Sequence, residues 1–200
     1  IDQGDVNGDG TVDIDDLLTI IQILFGLIDD PLLVAGGDIN GDGVVDILDL
    51  QEILNILGGG KKAALLAGNN QIYISEVYAK ADEIGSFDIS LNLESDVAAI
   101  FAQFTYNSDI GFDITGFEIG EATGGFDFDY LIDESDPANV IVKFVVYNHN
   151  QESFDLGHSH ILKANYQTTI DAFGTSELAF INSMFANSEA QLVESENLNT

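Results

Sequence analysis

Two stretches of ten residues hold the side chains best placed to do chemistry. Gly4-Asp5-Val6-Asn7-Gly8-Asp9-Gly10-Thr11-Val12-Asp13 recurs as Gly37-Asp38-Ile39-Asn40-Gly41-Asp42-Gly43-Val44-Val45-Asp46, at an offset of 33 residues. Asp16 and Asp49 keep the same offset. In the first copy Asp5, Asn7 and Asp9 take loop positions 1, 3 and 5, and Gly10 takes position 6, where the chain must turn sharply. Thr11 offers its carbonyl at position 7, Asp13 reaches position 9 through water, and Asp16 closes the loop at position 12. In the second copy the same places fall to Asp38, Asn40, Asp42, Gly43, Val44, Asp46 and Asp49. Hard oxygen donors in this order suit Ca²⁺. Clusters of Asp, Asn and Gly also make plain turns, and one copy alone would leave that reading open. Two matched copies point to two calcium ions. Without the ions four carboxylates per loop repel one another, so metal binding and folding of this part are expected to be coupled.

The elements that must hold these loops are short helices. Each loop runs into an apolar stretch, Asp16 to Phe25 and Asp49 to Leu57. Leu50, Ile53, Leu54 and Leu57 repeat at i, i+3, i+4 and i+7, one face of a helix. Gly26 and Gly58 follow as helix stops. Val12 and Val45, at loop position 8, are expected to pair through a short strand contact. The run Gly58-Gly59-Gly60-Lys61-Lys62 then breaks the pattern, and residues 58–70 read as a joint. From Gln71 the period changes to 2. Nine strand-like runs follow, near 71–78, 86–93, 98–106, 112–119, 126–132, 139–148, 159–168, 177–183 and 190–195. Turn residues such as Asn107-Ser108-Asp109 and Gly124-Gly125 separate them, the pattern of an antiparallel sandwich. The expected division is residues 1–57 as a calcium-loop domain, 58–70 as the joint and 71–200 as a β-sandwich.

Composition narrows the functions. The 200 residues hold 35 acids against five lysines, a formal net charge of −30. Residues 1–60 carry 13 acids and no lysine, and residues 61–200 carry the remaining 22 acids and all five lysines. Such a surface repels phosphate backbones and anionic membranes, so neither nucleic acid nor membrane is an expected partner. Absence of cysteine removes disulfides, zinc–thiolate sites and cysteine nucleophiles. The chain opens on Ile1-Asp2-Gln3 rather than on a basic start and an apolar run, and no leader is expected in it. Leu17 to Ile28, the longest apolar run, contains Gln22 and is too short to span a bilayer.

The calcium-loop part resembles the type I dockerin of bacterial cellulosomes. The resemblance covers roughly residues 2–60 and rests on two Asp-x-Asn-x-Asp-Gly loops, each closed by Asp at position 12 and followed by one helix. No helix-length segment precedes the first loop, unlike an ordinary helix–loop–helix EF-hand. The resemblance implies a small all-α F-hand pair that docks onto a cohesin. It places the docking contact at loop positions 10 and 11, which are Ile14-Asp15 in the first copy and Ile47-Leu48 in the second. Many type I dockerins carry small hydroxyl residues there, so a more apolar contact is expected, with Ile47 and Leu48 the sharper candidates.

Residues 71–200 resemble a cellulosomal cohesin, the dockerin's partner module. Phe87 to Leu93 is similar to the family's second strand, Phe101 to Asn107 to its third, and Leu156-Gly157 followed by 158–166 to a later turn and strand. The resemblance implies a nine-strand jelly-roll sandwich whose third strand contributes to the docking surface. By period 2, Ile100, Ala102, Phe104 and Tyr106 face the core, and Ala99, Phe101 and Gln103 face outward. An outward Phe101 would be an apolar anchor. Strand six presents Ile141, Val145 and Tyr147 beside Lys143, and both its faces are apolar, so one is expected to be covered. Together the resemblances imply a non-catalytic, calcium-dependent scaffold module outside the cell or at its surface, in a polysaccharide-degrading assembly. Cohesin and dockerin would then pair within one chain, head to tail between copies, or with other proteins.

Other readings rank lower. His158 and His160, with His149, could hold a transition metal, but such histidines are more often solvated strand residues. A glycosidase needs two carboxylates at fixed separation, and neither an Arg clamp nor a Trp platform supports one, since both residue types are absent. The serious alternative is a dockerin joined to a carbohydrate-binding sandwich, with Tyr73, Tyr78, Phe126, Phe128 and Tyr130 as sugar platforms.

Overall fold

The computed structural model describes residues 3–57, 66–74, 76–120, 123, 125–148, 152–188 and 192–198. Three helices come first: α1 (Ile14–Leu24), α2 (Pro31–Gly37) and α3 (Ile47–Leu57). Asp13 caps α1. Its side chain accepts from Asp15 N–H at 2.9 Å, and the Asp16 carboxylate accepts from Asp13 N–H at 2.9 Å, a complete capping box. The acids of this first turn also meet the positive end of the helix dipole. Gly26, at φ +66°, ends α1 in a left-handed conformation that a side chain would strain. Helix α2 was not expected; its signal is Asp30-Pro31, an N-cap followed by proline in the first turn. The helices share a core of Leu17, Ile20, Leu50 and Ile53, each at most 1% exposed. Neither Val12 nor Val45 lies in a strand or bridge. Val12 covers Gly4 and Val45 covers Gly37, so side-chain packing replaces the expected strand contact.

Nine strands follow: β1 (Leu66–Ile74), β2 (Ile84–Leu93), β3 (Ala99–Tyr106), β4 (Phe112–Ile119), β5 (Asp127–Asp133), β6 (Val140–Tyr147), β7 (Gly157–Thr168), β8 (Ala179–Ala186) and β9 (Leu192–Leu198). Strand β1 begins ahead of Gln71 and takes in the end of the stretch read as a joint. The strand order is β4-β7-β2-β1-β9-β8-β3-β6-β5. All neighbours are antiparallel except β1 and β9, which run parallel and join the two layers of the sandwich. The layers enclose one apolar core. Aromatic pairs bridge them, Tyr106 with Phe112 at 5.8 Å and Phe117 with Phe144 at 6.5 Å between ring centroids. At the open edge Phe117 of β4 meets Tyr130 of β5 at 5.0 Å. No described helix is long and apolar enough to cross a membrane.

Candidate docking face and metal loops

Period 2 separates two functions on β3. Ile100, Ala102, Phe104 and Tyr106 lie in the sandwich core. Ala99 and Phe101 point the other way and join a second apolar cluster, made mainly of the helices. Strand register builds this outward face in rows. Asp127, Tyr147, Ala99 and Ala186 stand side by side across β5, β6, β3 and β8. Asp129, Val145, Phe101 and Met184 form the next row, and Leu131, Lys143, Gln103 and Asn182 the one beyond. The first two rows are apolar in the middle, with carboxylates on the β5 side. Gln103 lies at the polar margin, and Ile141, one row further, lies outside the cluster.

The helices cover these two rows. Phe101 is 3% exposed and so is Phe25, just past the end of α1. Their rings stack with centroids 3.5 Å apart and planes 28° from parallel. The Gln22 side-chain amide donates to the Asp129 carboxylate at 2.7 Å, and the Tyr147 hydroxyl donates to the same oxygen at 3.4 Å. Burial pushes the Tyr147 phenol up to about 12, helped by the negative charges of Asp129, Asp127 and Asp15. Asp15 belongs to α1, so acids from both parts of the chain converge on one tyrosine. Asp15, Gln22 and Phe25 are spaced i, i+7 and i+10, a single stripe on which Leu18 also falls.

Several expected contact residues sit elsewhere. Leu48 is 51% exposed and belongs to neither apolar cluster. The side chains of Ile14 and Ile47 lie outside the described residues. The residues the sequence reading passed over are Gln22 and Phe25. Both sit in an apolar run that reads as ordinary helix core, and no local signal marks them.

The acid loops are held in shape by their own carboxylates. Gly8 N–H and Gly10 N–H donate to Asp5 at 2.9 and 3.2 Å, and Asp9 N–H donates to Asn7 at 2.8 Å. In the second loop Gly43 N–H donates to Asp38 at 3.0 Å and Asp42 N–H to Asn40 at 2.8 Å. Gly10 and Gly43 turn at φ +92° and +93°, which only glycine adopts without strain. The position-12 acids are fully buried and act as clasps. Asp16 accepts from Val6 and Asn7 N–H at 2.7 and 3.0 Å, and Asp49 from Ile39 and Asn40 N–H at 2.8 and 3.0 Å. The Thr11 hydroxyl, 2.6 Å from Asp9, holds that carboxyl below the ordinary carboxylate range.

Among the described residues no three His, Asp or Glu side chains form a ready metal cluster. The loops nevertheless fit a hard cation. Asp38 Oδ1 is buried without a hydrogen-bond partner, a costly state for a carboxylate oxygen unless a cation meets it. The other donors at the loop positions are oxygens: Asp42, Asp46, Asp49, Asn40 and the Val44 carbonyl in the second loop, and Asp5, Asp9, Asp13, Asp16, Asn7 and the Thr11 carbonyl in the first.

The two described histidines and most of the sugar-platform aromatics have neighbours in the structure. The rings of His158 and His160 lie 4.8 Å apart, edge to face. His158 Nδ1 meets the Tyr73 hydroxyl, and His160 Nδ1 lies 2.9 Å from Ser90 Oγ. His149 lies outside the described residues. Phe126 and Phe128 pack against the sandwich core, and Tyr130 packs on Phe117. Tyr78 stands in solvent, its hydroxyl donating to Glu76 at 2.5 Å.

Residues 3–58 match the family described as the dockerin type I domain. The rest of the chain has the fold of solved cohesins. A chain of the Coh-OlpA-Doc918 cohesin–dockerin complex of Clostridium thermocellum superposes with TM-score 0.56 at 14% identity, over 66% of this chain and 95% of that one. A chain of the Coh-OlpC-Doc435 complex from the same organism gives 0.52 at 14% identity, over 70% and 93%. A non-cellulosomal cohesin from the archaeon Archaeoglobus fulgidus gives 0.52 at 11% identity, over 66% and 87%. The protein is a dockerin region followed by a cohesin-fold module. No curated protein matches the sequence.

Proposed function

We propose that the chain is a non-catalytic, calcium-dependent docking protein in which the dockerin region binds a cohesin face, here the face of its own sandwich. The observation that carries this reading is the shared apolar cluster. Phe25 and Phe101 stack at 3.5 Å across the two modules, each 3% exposed. An outward sheet face that buries a phenylalanine under another module behaves as an interface core. Two calcium ions, one per loop, would supply the positive charge that lets the position-1 to position-12 oxygens converge. Asp16 and Asp49 would couple that charge to the first turns of α1 and α3, whose loops they already clasp. The same complementary surfaces on two copies would pair head to tail, and other cohesins or dockerins would be further partners. The named complexes among the structural neighbours support this reading, as does the family match. On the same family grounds the protein acts outside the cell or at its surface, in an assembly that handles polysaccharide.

The test is methyl NMR on the full chain. The Ala99, Val145 and Ala186 methyls lie in the cluster that holds Phe25 and Phe101, and in calcium they should sense these rings. Excess chelator should move these resonances to undocked positions, leave the sandwich-core methyls of Val142 and Val146 in place, and be reversed by calcium. Resonances indifferent to chelator, with the helices melted, would overturn the docking reading.

A further inference from the structure

We infer that docking is one-sided: α1 alone reads the partner, through Phe25 and Gln22, and it selects a sheet face that pairs an aromatic anchor with a flanking carboxylate. The inference rests on the docking reading above. A module built from two similar repeats has, in principle, two similar faces to offer. The 33-residue offset shows that these faces differ at every contact position. The α1 stripe Asp15, Leu18, Gln22 and Phe25 corresponds to Leu48, Gln51, Asn55 and Gly58.

The differences remove the contacts that matter. Glycine at 58 has no ring to lay on Phe101, and an aromatic stack at the centre of an interface contributes beyond its buried area. Asparagine at 55 is one methylene shorter than Gln22, whose amide reaches Asp129 at 2.7 Å. Glutamine at 51 would bring a polar amide where α1 has Leu18. Reversed docking would also leave Phe101 facing a gap, and a void under a large ring forfeits its dispersion contacts. In the structure α1 faces the sandwich while Leu48 stands half exposed. The partner chemistry follows from the same rows of the sheet. Phe101 supplies the aromatic anchor on β3, and Asp129, two strands away in the same row, supplies the acceptor.

The absence of cysteine makes the test clean, because introduced thiols have no competitors. The full chain in calcium is made as two double variants, Asp15→Cys with Asp127→Cys and Leu48→Cys with Asp127→Cys. Both keep Gln22, Phe25, Phe101 and Asp129. Each is treated with a short bis-maleimide, and cross-linking within one chain is timed. One-sided docking predicts rapid linkage of the first pair and not of the second. Adding Phe25→Ala to the first pair should slow linkage about tenfold or more, the loss of one central contact. Equal linkage of both pairs, or linkage of the second alone, would overturn the one-sided assignment while leaving docking intact. Linkage of neither pair, with helical and sheet content unchanged by circular dichroism, would overturn docking itself and the inference with it.

Discussion

Replacing Phe101 by alanine separates docking from folding. The ring belongs to the cluster shared with the helices and not to the sandwich core. Its loss should therefore be felt at the interface and hardly in the sandwich. Burial of a phenylalanine side chain contributes about 2–3 kcal/mol, and the stack with Phe25 adds about 1 kcal/mol. The helices can settle partly into the space, so a net loss of about 3 kcal/mol is expected. At about 1.4 kcal/mol per factor of ten, the closed-to-open ratio falls by roughly 100-fold. Hydrogen exchange read by mass spectrometry on the full chain in calcium reports this directly. Amides of α1, which exchange when the module lifts and opens, should exchange about 100-fold faster. Amides of β2 and β7, deep in the other layer, should keep their rates. Unchanged α1 exchange would refute the contact. Accelerated exchange throughout β2 and β7 would show that Phe101 supports the sandwich itself.

Three further outcomes follow. Asp5→Ala combined with Asp38→Ala should abolish helical circular dichroism from residues 3–57 even in calcium, because each removes the first donor of its loop; retained helicity contradicts the metal assignment. Raising salt should tighten docking in calcium, since Asp15 faces Asp127 and Asp129 around Tyr147 and both modules are strongly acidic. The Debye length shrinks from about 30 Å at 0.01 M to about 8 Å at 0.15 M, and slower α1 exchange at higher salt is the readout; faster exchange would mean that attraction between charges holds the modules together. Tyr147 sets an alkaline limit: its phenol titrates near 12 when docked against about 10 when free, so its contribution is complete below pH 10 and is lost as pH rises through 12. The Tyr78, Tyr106 and Tyr166 phenols are pushed up as well, so ultraviolet titration should show several late tyrosines, the last of them lost in Tyr147→Phe; an unaltered late step in that variant would place that group elsewhere.

Much of this was legible in the sequence, for identifiable reasons. The acid loops announce themselves because binding a hard cation would dictate residue type position by position, and the 33-residue repeat states the rule twice. The strands show because each alternates between a buried and an outward side, and that alternation also placed Ala99 and Phe101 on the face opposite the sandwich core. What the local pattern could not show was non-local. The parallel pairing of β1 with β9 joins residues more than a hundred positions apart. The start of β1 is hidden in small apolar residues that read equally well as a joint. Helix α2 spans only seven residues, too few for periodicity to register. The emphasis on Leu48 over α1 also has a physical reason. Loop positions 10 and 11 of the second repeat are apolar and so drew attention, yet the contact is made by Gln22 and Phe25, further along α1, where an apolar run looks like ordinary core.

The most direct test of the account is calorimetry between the two modules made separately, residues 1–62 titrated into residues 64–200, in calcium and then in excess chelator. The second fragment must begin ahead of Leu66 so that β1 stays whole. The account predicts saturable binding in calcium, no heat in chelator, and binding lost in Phe101→Ala. Two folded fragments that give no heat in calcium would contradict it, and each module would then have a different partner.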